Sequence, residues 1–162
     1  MEDEIKMNGS LKKDEMNELL KLKEIKEKMN SILEYSIPIV KIWDNIILAP
    51  IIGTLDSDRT QQIMEELLNT IVKESALIAI LDITGVPIID SVTAQHIIDT
   101  VSAVHLLGSK VILTGIKPSI AQTLVHMGII LSNIKYTARS LAQGFKMALD
   151  ILKLEIISKN KE

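Results

Sequence analysis

The densest chemistry in the chain lies in residues 82–95, Asp-Ile-Thr-Gly-Val-Pro-Ile-Ile-Asp-Ser-Val-Thr-Ala-Gln. An apolar run, Leu77–Ile83, reads as a buried strand. A short loop follows, and Asp90-Ser91 then opens a helix. Asp and Ser cap helix N-termini because their side-chain oxygens accept backbone N–H groups that lack partners in the first turn. A serine hydroxyl at that place is exposed, and a phosphate on it would sit at the positive end of the helix dipole. Position alone gives Ser91 a simple role, capping its helix. Its chemistry suits a phosphorylation switch better than a catalytic centre.

Other constellations carry less. Asp82 with Asp90 could be imagined as a carboxylate pair, and Asp56 with Asp58 as metal ligands. No histidine is near either pair in sequence, and capping explains Asp58 and Asp90. His96, His105 and His126 have no ligand spacing. Gly53 and Gly85 belong to neither phosphate-cradling pattern, Gly-x-x-x-x-Gly-Lys or Gly-x-Gly-x-x-Gly. The chain contains no cysteine, which excludes thiol catalysis, disulfides and thiolate zinc sites. We therefore expect no catalytic residue, no metal and no cofactor.

The elements that must position this segment can be read from the apolar pattern. Ile39–Trp43 and Ile46–Ile52 form a predicted hairpin about Asp44-Asn45. A helix is expected from Asp58 to about Glu74, with Ile63, Leu67 and Ile71 on one face. Leu77–Ile83 is apolar but for Asp82, as for a strand covered on both sides. Helix Ser91–Leu106 ends at Gly108. Strand Lys110–Thr114, helix Lys117–Met127 stopped by Gly128, strand Ile134–Thr137 and helix Arg139–Leu154 complete the order ββαβαβαβα. That order predicts an α/β layered sandwich, a mixed sheet flanked by helices. Before it, about Lys12 to Leu33 is rich in helix formers, with a stripe of Leu22, Ile25, Met29 and Ile32. Such a stripe can lie on its own domain or pair with a twin, and the pattern leaves both open. The expected organisation is a helical extension at 1–35, a globular domain at 36–154 and a flexible tail at 155–162.

Composition narrows the function classes. Hydrophobic residues make up 47% of the 162, yet aromatics only 2%, so the core must be aliphatic. Base-stacking nucleic-acid binders need aromatic platforms and a basic excess, and this chain has net charge −3. The acidic start, Met1-Glu2-Asp3-Glu4, is unlike a signal peptide. No stretch of about 18 apolar residues free of charge occurs. Neither nucleic acid nor membrane is an expected partner, and a cytoplasmic location is the expectation.

Several motifs recur here in an order that resembles the STAS family (sulfate transporter and anti-sigma-factor antagonist domains), most of all its stressosome group of RsbR and RsbS type co-antagonists. They are Asp82-Ile83-Thr84-Gly85-Val86-Pro87, Asp90-Ser91, Leu113-Thr114-Gly115-Ile116-Lys117-Pro118, Ile120-Ala121-Gln122-Thr123-Leu124-Val125 and Met127-Gly128-Ile129. The likeness spans about Ser36 to Leu152. It implies a STAS-type sandwich and a phosphoacceptor at Ser91, directly after Asp90. The wider family has Asp-Ser-Ser-Gly at this point. Val92 replaces the second serine here, and Thr93 offers a shifted alternative. A second phosphoacceptor is implied at Thr123, which the residues alone read as an ordinary helical Thr bonding back one turn. Asp82, Thr84, Gly85, Pro87, Asp90 and Thr93 become the switch loop and partner-docking residues. Thr84 itself reads as structural, ending the strand and satisfying loop backbone.

By the same resemblance the protein is a non-enzymatic scaffold of the general stress response. It would sequester a switch serine/threonine kinase similar to RsbT, assemble as homodimers with an RsbS-like partner in a large complex, and release the kinase when phosphorylated. The 35 residues ahead of the domain are too few for the sensor module that this type carries. Two other readings stand beside it: a free anti-sigma-factor antagonist using the same switch, and a small-ligand module, since some STAS domains bind nucleotides or lipids. No residue specifies such a ligand.

Overall fold

The structure, a computed structural model, describes residues 16–26, 28, 38–128 and 134–157. The chain divides into two compact units, Met1–Ser36 and Ile37–Glu162. In the first, residues 16–26 are helical (α1). Met29 and Ile32 of the expected stripe, and residues 158–162 of the expected tail, lie outside the described residues.

The second unit runs β1 (Val40–Trp43), β2 (Ile46–Ile52), α2 (Ser57–Glu74), β3 (Ile78–Gly85), α3 (Ser91–Leu106), β4 (Lys110–Thr114), α4 (Pro118–His126), β5 (Tyr136–Ala138) and α5 (Leu141–Ile151). The sheet order is β1-β2-β3-β4-β5. β1 pairs antiparallel to β2 across the turn at Asn45 (φ 63°), and all later pairs are parallel. Pro50 sits within β2, where it cannot donate to a ladder. β1 pairs with β2 only as far as Leu48, so Pro50 lies beyond its reach.

Alternation along the strands separates two cores. Ile47, Ala49, Ile51, Ala79, Leu81, Ile83, Val111 and Leu113 pack with Ile63, Leu67 and Ile71 of α2, Ile97, Val101 and Val104 of α3, and Ile120 and Leu124 of α4. Ile46, Ile78, Ile80 and Ile112 face the other way, against Ala148 and Leu149 of α5. The central strands are therefore covered on both sides, as their near-continuous apolar runs require.

Several element ends differ from the sequence reading, each for a local reason. Leu77 is exposed and precedes β3; its N–H and that of Ile78 both donate to Asn45 O (2.9 and 3.0 Å). β3 continues two residues past Ile83 because Gly85 pairs with Ile52. The cap of α2 is Asp56, whose Oδ1 accepts Arg59 N (2.8 Å), so Asp58 is a first-turn acid and not the cap. β5 is Tyr136–Ala138 and follows its pairing with Ile112–Thr114. α5 begins only after Ser140, whose Oγ accepts Gln143 N (3.3 Å).

Gly144 allows α5 to lie close on the sheet. A Cβ there would stand 2.5 Å from Thr114 Cγ2 and 3.5 Å from Ile112 Cγ2. Helix propensity alone would make Gly144→Ala about 1 kcal/mol stabilising. Overpacking costs about 1–3 kcal/mol, so we expect the variant to unfold at lower denaturant. A raised midpoint in chemical denaturation would show that Thr114 yields and that the contact is not limiting.

Candidate functional site

The parallel strands β2, β3 and β4 end at one pole of the sheet, and the Asp82–Gln95 segment crosses it. Asp82 is half-buried near the end of β3, opposite Pro50 on one side and Thr114 on the other. Its Oδ1 accepts Thr84 Oγ1 (2.7 Å), Thr114 Oγ1 (2.8 Å) and, at longer range, Thr84 N (3.4 Å). Hydrogen bonds to a carboxylate are roughly twice as strong as neutral ones. The Thr84 hydroxyl thus serves Asp82 and not the loop backbone, which corrects the role read from sequence.

Two glycines fit the strand ends against each other. At Gly85 a Cβ would fall 2.9 Å from Ile51 O, and its carbonyl accepts Gly53 N (3.0 Å). Gly115 has φ +75°, a region that L side chains rarely enter. A Cβ on it would lie 2.6 Å from Thr84 N and collide with the Thr84 hydroxyl. From Gly85 the chain turns at Val86, which is buried and donates to Ile83 O (3.0 Å). Buried Ile89 anchors the far end of the loop, while Pro87 and Ile88 between them are exposed.

At α3 the capping work falls to Asp90. Its Oδ1 accepts Thr93 N (2.7 Å). Ser91 is the first helical residue; it is exposed and does not cap, contrary to the simplest reading of its position. The carboxyl of Asp90 is held below its ordinary range, chiefly by the Thr93 backbone N–H and then by the Thr93 hydroxyl. That hydroxyl also lies a long 3.4 Å from Leu55 O. Thr93 is buried, only 1% exposed, so Ser91 is the hydroxyl within a partner's reach. Exposed Ile88 and Val92 flank Ser91 in the chain, and Ile52, also exposed, lies beside Gly85. Exposed polar groups stand among them, the Asp90 carboxylate and the Gln95 amide one helical turn on from Ser91.

Thr123 lies apart from this network. It is half-buried on α4, and its Oγ1 donates to Ser119 O one turn back (3.1 Å). The structure therefore gathers Asp82, Thr84 and Gly85 at one point and Asp90, Ser91 and Thr93 at the next, with Thr123 on a separate helix. Among the described residues no group of three or more His, Cys, Asp or Glu is placed to hold a metal ion, and no helix is long and apolar enough to cross a membrane.

Sequence reasoning missed two contributors. Thr114 appeared only as part of a motif, yet it is fully buried and supplies one of the donors to Asp82. Arg59 drew no notice. Its guanidinium donates to Thr54 O (2.8 Å) and Ile52 O (2.7 Å), holding the β2–α2 loop against the pole, and its Nε is buried without a partner. A lone arginine in the first turn of a helix gives no sequence signal of a return contact to the preceding loop.

The lowered pKa of Asp90 fixes a pH dependence. A carboxyl whose folded pKa is lowered contributes stability that is complete above its unfolded value and lost as pH falls through the folded one. Asp90→Ala is therefore less stable than wild type at pH 7, and the gap narrows below about pH 4. Urea midpoints at pH 7 and pH 3 measure this; an unchanged gap would mean that the carboxylate charge contributes nothing to the cap.

Comparison with known proteins agrees with this fold. The STAS domain family matches residues 38–143. The chain is 40% identical over 125 residues to RsbT co-antagonist protein RsbRA of Bacillus subtilis, covering 77% of this chain and 45% of that protein. It is 38% identical over 134 residues to RsbT co-antagonist protein RsbRD of the same organism, covering 80% and 47%. The chain thus spans about half the length of these relatives. Among solved structures it is similar to a variant of RsbS from Moorella thermoacetica (TM-score 0.64, 31% identity, 73% of this chain and 98% of that one). It is also similar to a chain of the stressosome, described as a signal integration and transduction hub (TM-score 0.59, 28% identity, 72% and 100%). With the motif order, the five-stranded mixed sheet and the family match in agreement, the chain belongs to the STAS domain family and is homologous to the RsbR and RsbS stressosome proteins.

Proposed function

We propose that this protein is a stressosome scaffold and regulator of the general stress response, without enzymatic activity, that docks a switch serine/threonine kinase similar to RsbT and releases it on phosphorylation of Ser91. The observation that carries the reading is the placement of Ser91: an exposed, uncommitted hydroxyl at the first helical position of α3, with exposed Ile88 and Val92 near it in the chain, in a domain 40% identical to an RsbT co-antagonist. A phosphate brings about −1.5 to −2 charge. Beside Asp90, which stays ionised, that charge turns a near-neutral apolar face into a repulsive one. Burial of Thr93 supports Ser91 as the acceptor in this loop.

Thr123 is proposed as the second acceptor. Its hydroxyl must give up the bond to Ser119 O before it can be modified, which suits a site used more slowly than Ser91. The assembly proposed is a cytoplasmic one of homodimers with an RsbS-like STAS protein, supported by likeness to the RsbS and stressosome structures. The globular domain is proposed to occupy 36–154, with 1–35 as a helical extension and 155–162 as a flexible tail.

Binding of the cognate switch kinase to Ser91→Ala and Ser91→Asp tests the mechanism. We expect Ser91→Ala to bind as the unmodified protein does and Ser91→Asp at least tenfold more weakly, about 1.4 kcal/mol. Equal affinities would end the charge-switch reading at this residue. Light scattering of the protein alone and mixed with its RsbS-like partner tests the scaffold: a megadalton-scale particle is expected, whereas a small dimer under both conditions would favour a free anti-sigma-factor antagonist.

A further inference from the structure

The two proposed acceptors sit on different helices, but the chain segments leading to them meet at Asp82. We infer that the Thr114–Asp82–Thr84 hydrogen-bond relay couples α4 to the Ser91 loop, so that a charge at Thr123 is felt at Ser91 through the sheet. Asp82 is in this sense a positioning residue for the switch. The inference rests on the proposed role of Thr123.

The relay has one buried and one exposed arm. Thr114 is fully buried at the end of β4, and its hydroxyl donates to Asp82 (2.8 Å). Thr84 is exposed and donates to the same Oδ1 atom (2.7 Å). Because both hydroxyls share one acceptor oxygen, movement of either donor changes the field and geometry seen by the other. Gly115 removes the slack: its backbone lies so close to Thr84 that no Cβ fits between them.

Each arm leads directly to a helix that carries an acceptor. From Gly115 the chain passes through Ile116 to Lys117, which precedes α4 without a side-chain cap bond. Ile120 and Leu124 are buried in the first core, so the start of α4 is tied to Gly115 through the short Ile116-Lys117 link and through that core. On the other side, Gly85, buried Val86 and buried Ile89 lead to the Asp90 cap and Ser91. The exposed link on this path is the Thr84–Asp82 bond (2.7 Å).

Amide resonances of the full chain measure it without any partner. Thr123→Glu is expected to shift residues 84–92 as well as its own helix. In a Thr114→Val background the response of residues 84–92 should fall by at least half, while that of α4 persists. Thr114→Ser, which keeps the hydroxyl, should restore it. Thr84→Val interrupts the relay from the exposed side, away from the core, and is expected to act as Thr114→Val does. Equal responses in wild-type and both valine backgrounds, or no response at residues 84–92 in wild type, would overturn the inference. Kinase binding to Ser91 variants is a separate measurement, so failure of the relay and failure of the phospho-switch remain distinguishable.

Discussion

Three donors converge on one carboxylate oxygen at the end of the central strand, and the functional pole is organised about it. Asp82 is placed by its pairing with Pro50 and Thr114, and it returns that placement by holding Thr84 and Thr114 together. A half-buried carboxylate is costly unless its lone pairs are used. Two hydroxyls and a longer backbone contact use them here. Removing Asp82 would leave the fully buried Thr114 hydroxyl without its acceptor, a penalty of about 1–3 kcal/mol. The strand ends, the glycine contacts at Gly85 and Gly115 and the loop toward Ser91 all depend on this node.

Division of labour between adjacent residues makes a switch possible at α3. Asp90 caps the helix, which leaves Ser91 with no structural duty. A hydroxyl that capped its own helix would have to break that bond when modified. Here modification adds charge without removing a stabilising contact, so the folded domain can exist in both states. The same separation does not hold at Thr123, where the hydroxyl is already engaged within α4.

The scaffold behind this pole is nearly free of aromatics. Aliphatic side chains fill the first core, while the second, under α5, adds partly buried Tyr136 and Phe145 at its edge. Close approach, not bulk, brings that helix down, and Gly144 is what permits it. Gly144 also presses on the methyl of Thr114, whose hydroxyl serves Asp82. Packing on the far face of the sheet and polar order at the functional pole therefore share one residue.

Much of this was legible in the residues themselves. Near-continuous apolar runs required strands covered on both sides, the ββαβαβαβα order required a layered mixed sheet, and Asp90-Ser91 marked a helix start with an exposed hydroxyl. These are local or periodic signals, carried by neighbours in the chain. What the sequence left open was which neighbour does which task. Asp56 and not Asp58 caps α2, Asp90 and not Ser91 caps α3, and Thr84 serves a carboxylate and not a loop. Each choice depends on backbone angles that only the packed chain sets. Thr114 and Arg59 show the larger limit. Their partners lie 32 and up to seven residues away, on strands and loops brought together by register, so no periodicity announces them. Spacing along the chain determined the elements and the helix start that bears Ser91; contact across the sheet decided how that pole is held.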